Sequence, residues 1–465
     1  MYRWLVPHVV LPLADRLSGR RVGGEVRRLR VLQWQPREQT AERTLARLRA
    51  LLAHAAAHVP YYRDVMRTAG VAPGDIETLA DLARLPVTTK ATLRAEPPDR
   101  LLADNVPASR RQPMKTSGST GLPLEFSWDR RNRDLYFASY LFSLEWAGTA
   151  LWDTRVTIAV PTYFSTNVET ASSLTRLARR LVLGEHTIGL GADTVTATKL
   201  RSVIGGLGPG ARYFVRGYPA ALTRVAGDLL DAGASLPRDP RVVIAYSETL
   251  TASNAASIRR AFHCPVVNYY TSWEIPQIAQ TCPDRPDVLH VNGDRVALRV
   301  VRPDGSDAPP GEAGRVVVTD LTNEVMPFVN YDLGDRAVAG PPCTCGRGWP
   351  TLLGVEGRDT ERIRTPQGRH IHSGTLGHFL TFEAGAIPQI WEYQALQVRL
   401  DHVVLLVVPT RAFTSEVAAT LRERLQTFLG PGMSVAVEAV DRIPAEASGK
   451  RLIIKSLIDD PTGRA

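Results

Sequence analysis

A chain of 465 residues is longer than one hydrophobic core usually serves, so two or three domains are expected. With 44% hydrophobic and 22% charged residues it has the composition of a folding globular protein, and four cysteines in this length exclude a disulfide scaffold and fit a reducing cytoplasm. The formal charge of +9 comes from arginines spread among acids rather than a basic run with interleaved aromatics, which argues against nucleic acid and suits a polyanionic small molecule.

The apolar start, Trp4 to Leu13, is too short to span a bilayer, is broken by Pro7 and Pro12, and lacks a cleavage site. It is expected to be a packed N-terminal arm, not a transmembrane segment. From Glu38 to Ala69, Leu45, Leu48, Leu51, Leu52 and Ala55 recur at helical spacing, interrupted at Pro60. A helical piece from Leu79 to Leu85 leads into Leu-Pro-Val-Thr-Thr-Lys90 and an extended segment.

That segment reaches Lys115 to Leu124, K-T-S-G-S-T-G-L-P-L, in which Gly118 and Gly121 stand among Thr116, Ser117, Ser119 and Thr120. The glycines allow a sharp turn with N–H and O–H donors exposed, which suits a polyphosphate. A surface linker has the same composition, and the two readings stand level. No lysine follows the second glycine as in a Walker loop, so a bound nucleotide needs its cation from elsewhere.

Strands then alternate with helices: strands at Arg155 to Val160, Tyr213 to Val215, Arg241 to Ala245 and Val266 to Tyr269, helices at Pro219 to Asp231 and Ala252 to Phe262. This order predicts an α/β fold of parallel strands covered by helices, with ligands at the carboxyl ends of the strands. Ser247-Glu248-Thr249 and Tyr270-Thr271-Ser272-Trp273-Glu274 fall there. From Asp294 to Thr319 the pattern changes to strands and turns, expected as a small β-barrel or meander. Met326 to Asp335 reads as a strand ending in a turn that presents Asp335. Beyond a hinge at Glu356 to Glu361, strands near Ile390 to Leu400, Val403 to Val408 and Ser434 to Val440, with a helix from Thr414 to Leu429, make a small α+β domain.

Cys282, His290, Cys343 and Cys345 form a C-x7-H and C-x-C set, three soft ligands and an imidazole suited to a structural Zn²⁺. Reduced thiols with no shared site explain the spacing equally well, and Cys264 reads as a core residue. Tyr163, Phe164, Tyr218 and Trp273 at or after strand ends are candidates to line a pocket for an apolar or aryl acid, though such aromatics also serve simple packing.

The ordered set T-S-G-S-T-G-L-P, S-E-T-L, Y-T-S-W-E, N-Y-D-L-G-D, G-R-D-T-E-R-I and S-G-K resembles the adenylate-forming superfamily, in particular its phenylacetate–CoA ligase and capsule-biosynthesis branch. V-P-Y-Y-R, L-P-V-T-T-K and C-T-C-G-R-G fit the same branch. The resemblance implies a large adenylation domain, residues 1–357, of parallel sheets and helices plus a small barrel, and a small mobile α+β domain, residues 358–465. It implies that a carboxylic acid is joined to the α-phosphate of ATP with release of pyrophosphate, and the acyl group then passed to coenzyme A. An amine or sugar hydroxyl is the alternative acceptor, and a catalytically weak nucleotide-binding protein the alternative class.

By the same resemblance Thr116, Ser117, Gly118, Ser119, Thr120 and Gly121 would hold phosphates, and Glu274 would bind Mg²⁺. Asp335 would accept the ribose hydroxyls; Ser247, Glu248, Tyr270 and Thr271 would border the adenine; Arg358 would contact ribose or phosphate. Lys450 would stabilise charge at the α-phosphate in the adenylation transition state. Thr271 replaces a usual glycine, Asn330 a frequent arginine, and Thr360 a hinge aspartate. The expected setting is cytoplasmic, with a homodimer left open.

Overall fold

The computed structural model describes residues 9–116, 124–159, 187–191, 195–358, 361–380, 384, 386, 389–444 and 451–458. These residues fall into two compact units, one of Met1–Ala150 with Tyr269–Val355, the other of Leu151–Asn268 with Glu356–Ala465.

In the first unit the leucine spacing produces the helix Arg37–His58, which buries Leu48, Leu51, Leu52 and Ala55. Val59 is extended and ends it, and Pro60, with no N–H to lose, starts the helix Pro60–Ala69. Gly70, in the left-handed region at φ 63°, closes that helix. Tyr62 is buried and its hydroxyl donates to Pro327 O at 2.9 Å while accepting from Val329 N at 3.1 Å. The helical pair therefore holds the chain just before Tyr331. Of the expected N-terminal arm, residues 1–8 lie outside the described residues, and Leu13 is 52% exposed on the helix Leu11–Ser18, so its apolar character is not explained by packing there. No described helix is long and apolar enough to cross a membrane.

The strands Val296–Val301, Ala313–Asp320, Tyr331–Ala339 and Thr351–Arg358 neighbour one another in sequence order, as a meander. Barrel closure is not among the described pairings; Thr351 and Leu352 pair instead with His290 and Leu289 of the strand Leu289–Val291. One expectation is corrected. No strand covers 326–330, which carries Asn330 at φ 49°, and the strand begins at Tyr331 and runs on to Ala339, so Asp335 sits within a strand rather than at a turn after one.

The second unit holds the parallel strands Thr154–Ala159, Thr187–Gly191, Tyr213–Gly217 and Val243–Tyr246, followed by helices at Ala197–Gly205, Pro219–Asp231 and Ala252–Phe262. Its C-terminal part has a four-stranded sheet ordered Ser434–Ala439, His402–Pro409, Ile390–Arg399, Ile454–Ser456, with the central pair antiparallel and the flanking pairs parallel. The helix Ser415–Leu429 buries Leu421, Leu425 and Leu429 in the core of this part. Trp391 lies against Gly227, where a Cβ would come within 2.6 Å of the indole, and its Nε1 donates to Asp231 at 2.8 Å.

Candidate active site

Thr116 and Leu124 close the ends of the Gly/Ser/Thr stretch. The strands Gln112–Lys115 and Glu125–Trp128 pair antiparallel, Thr116 N donates to Leu124 O at 3.0 Å, and Leu124 N donates to the Thr116 hydroxyl at 2.9 Å. Thr116 is buried, and its hydroxyl also accepts from Lys90 Nζ at 3.0 Å. The same ammonium lies 4.0 Å from Oε1 of Glu274, a carboxylate only 8% exposed, which accepts from Tyr331 OH at 3.3 Å. A hydroxyl, an ammonium, a carboxylate and a phenol from four separate segments thus meet beside that stretch.

Tyr270 OH donates to Asp335 Oδ2 at 2.8 Å, so the tyrosine expected at the base orients the carboxylate expected at the ribose. Thr271 accepts from Gln277 N at 3.2 Å, a local turn contact of a kind a glycine could not make. Asn330 is fully buried and its amide donates to the carbonyls of Leu82, Leu85 and Pro86 at 3.2, 2.9 and 3.3 Å. That accounts for an asparagine where arginine is frequent. A short amide tolerates the left-handed backbone and satisfies carbonyls that a guanidinium stem would push apart.

In the second unit Ser247 ends its strand at φ 69°, the left-handed region, which turns the chain sharply into Glu248. Glu248 accepts from Ala220 N at 3.0 Å and from Arg451 N at 2.9 Å. It thereby caps the helix Pro219–Asp231 and ties it to the residue after Lys450. Arg451 also lies 3.9 Å from Glu392, whose carboxyl is raised by burial and lowered in part by the arginine charge. Tyr218 packs edge-on against Tyr246 with ring centroids 5.5 Å apart, and Arg216 lies over Tyr246 at 4.3 Å. Arg358 ends its strand next to Gly357, where φ is 107° and a Cβ would meet Ser373 Oγ at 2.5 Å and Thr249 Oγ1 at 2.8 Å. In the first unit, Trp273 is 40% exposed.

The cysteine set converges. One ligand atom from each of Cys282, His290, Cys343 and Cys345 lies within 4.8 Å of the other three. Cys282 follows the strand Ala279–Thr281, His290 is in the strand paired with it, and both other cysteines stand between Ala339 and Thr351. Burial holds the His290 imidazole down at about 4 and pushes the Cys282 thiol up to about 12.

Ser117, Gly118, Ser119, Thr120, Gly121, Tyr163, Phe164 and Lys450 lie outside the described residues. Lys90 was missed by sequence reasoning, although a signal existed. It is the first residue of the helix Lys90–Ala95, capped by Thr89, where a positive charge opposes the helix dipole and so calls for another reason to be there. Tyr331 was quoted in its motif but given no role, and Arg451 carried none.

Residues 363–456 match the family model of the CapK C-terminal domain. Across 405 residues the chain is 26% identical to the phenylacetate-coenzyme A ligase of Thermus thermophilus, covering 83% of this chain and 85% of that one. It is 24% identical to protein CapK of Staphylococcus aureus over 239 residues, 50% of this chain and 51% of that one. Among solved structures, 2-hydroxyisobutyryl-CoA ligase in the postadenylation state aligns over 92% of this chain and 91% of its own with a TM-score of 0.72 at 21% identity, a likeness of fold.

Proposed function

We propose, for this member of the adenylate-forming superfamily with phenylacetate–CoA ligase and CapK relatives, an AMP-forming acid–thiol ligase activity. A carboxylate oxygen attacks the α-phosphorus of ATP, pyrophosphate leaves, and the thiol of coenzyme A then displaces AMP from the acyl carbon. The observation that carries this reading is the meeting of Thr116, Lys90, Glu274 and Tyr331 beside the Gly/Ser/Thr stretch. Lys90 supplies the cation that the stretch itself lacks, at a distance from Glu274 that leaves it able to turn to a phosphate oxygen.

Mg²⁺ would be held by Glu274, whose carboxylate is a hard oxygen ligand, and when bound it would offset phosphate charge. Lys90 and Glu274 hold opposite charges close together before substrate arrives. Tyr331 orients the carboxylate from its other side. Tyr270 orients Asp335 to accept ribose hydroxyls. Lys450 is the proposed residue that stabilises charge at the α-phosphate, and Lys450→Ala is expected to suppress adenylation. Tyr218 and Trp273, with Tyr163 and Phe164, are the proposed acyl-pocket residues, and Ser247 and Arg358 the proposed nucleotide contacts from the second unit. No step uses the Cys/His cluster. The proposed setting is the cytoplasm, which supplies ATP and coenzyme A.

Pyrophosphate release with Mg-ATP across a panel of carboxylic acids tests the first step, and thioester formation on adding coenzyme A tests the second. Acid-dependent release without thioester, with acyl-AMP persisting, would favour the second reading, transfer to an amine or sugar hydroxyl.

A further inference from the structure

We infer that Cys282, His290, Cys343 and Cys345 form a closed, structural Zn²⁺ site in the first unit, with Sγ, Nε2, Sγ and Sγ as the ligand atoms. Bonds of about 2.3 Å to sulfur and about 2.0–2.1 Å to nitrogen at tetrahedral angles put neighbouring ligand atoms about 3.6–3.8 Å apart. Cys282 Sγ and Cys343 Sγ are 4.0 Å apart, and Cys345 Sγ is 3.3 Å from His290 Nε2. A disulfide needs about 2.05 Å. The sulfur spacing of 4.0 Å is too long for a disulfide and within a few tenths of an ångström of that of two thiolates sharing an ion.

The surroundings fit a metal in two further ways. His290 Nδ1 lies 3.4 Å from Trp349 O, so Nδ1–H donates to the carbonyl and the Nε2 lone pair faces the sulfurs. This is the outer contact by which a ligating histidine is fixed in one tautomer. Three thiolates and a neutral imidazole around Zn²⁺ carry one net negative charge, and two arginines stand beside the set, each also paired with an aspartate, Arg285 with Asp287 and Arg347 with Asp284. Arg285 donates to Thr344 between the two cysteines at 3.2 Å, and Arg347 donates to Asp284 at 2.5 Å. Soft sulfur with one imidazole selects zinc over magnesium or calcium, and four protein ligands leave no open position for chemistry.

The ion would staple the hairpin carrying Cys282 and His290 to the loop between Ala339 and Thr351. That loop has little regular structure of its own, yet it holds Trp349 against Trp146 at 5.4 Å and Arg347 over Trp34 and Trp146 at 4.3 and 4.8 Å. His290 itself meets Trp146 edge-on at 5.6 Å. Loss of the ion should therefore register in tryptophan signals.

The test is elemental analysis of the full-length protein purified without chelator and then dialysed against EDTA. About one zinc per chain is expected, held through dialysis and released by a mercurial that titrates the three ligand thiols, with a change in near-ultraviolet circular dichroism. Cys345→Ser should lower the zinc content and Cys264→Ser should leave it unchanged. Should Cys345→Ser not fold, wild-type protein loaded with Co²⁺ should give thiolate charge-transfer and tetrahedral d–d bands. Zinc-free protein from zinc-supplemented cells, iron in place of zinc, or a Cys282–Cys343 disulfide in non-reduced protein would overturn the assignment.

Discussion

Glu274 and Glu248 both stand in short motifs at strand ends, one in each unit, and their partners are of opposite kinds. Glu274 faces a lysine ammonium and a tyrosine hydroxyl, side chains that can turn to a substrate. Glu248 accepts from two backbone N–H groups, of Ala220 and Arg451, which cannot turn without moving the chain. The first arrangement is a poised charge pair; the second is a tie that fixes a helix start to the C-terminal segment. Motif position alone does not separate the two, and partner chemistry does.

The widest gap between the two carboxylates should appear in activity. Glu274→Gln and Lys90→Ala are each expected to cut acid-dependent pyrophosphate release about 100- to 1,000-fold, the usual loss for a group that stabilises developing charge. Both variants should stay folded at assay temperature, with Lys90→Ala the less stable because it leaves the buried Glu274 carboxylate without its lysine. Next in size is Asn330→Ala, which removes the donor to three carbonyls and puts alanine in the left-handed region. A loss of about 2–4 kcal/mol in denaturant unfolding is expected, with Asn330→Gly losing less because it keeps the backbone freedom.

Glu248→Ala should show the reverse of Glu274→Gln. A stability loss of about 1–3 kcal/mol is expected from two orphaned N–H groups, with pyrophosphate release per folded molecule falling much less than in Glu274→Gln. An activity loss as large as that of Glu274→Gln, at unchanged stability, would erase the distinction and make the adenine border, not the backbone tie, the main role of Glu248. The smallest effect is expected from Gly227→Ala, which forces a methyl toward Trp391 at a cost of about 1–2 kcal/mol. Unfolding midpoints measure it, and an unchanged midpoint would mean that Trp391 can give way.

Two helices of the second unit were legible because each shows one apolar face and a start signal, whereas its strand Thr187–Gly191 and helix Ala197–Gly205 were not expected. Pro219–Asp231 and Ala252–Phe262 begin at a proline and at a threonine cap and end where their periodicity ends. Arg130–Trp146 was not legible, since from Ala138 to Leu144 every residue is buried and no polar face marks the period. The bond between Tyr270 and Asp335 joins positions 65 apart, which no local pattern announces. The cysteines gave a ligand set, but only the pairing of their strands brings Cys282 to Cys343. Asp335 was placed in a turn because Gly334 and the polar run around it look like one; the chain spends that glycine, at φ 74°, inside a strand.

The account turns on Lys90 and Glu274 as the charge pair of an adenylating site. The most direct measurement is pyrophosphate release by the purified full-length chain with Mg-ATP and a panel of carboxylic acids, run beside Lys90→Ala. Acid-dependent release in the wild type that is lost in Lys90→Ala, with the variant folded at the assay temperature, is the predicted result. Release that is absent with every acid, or equal in both proteins, would contradict it.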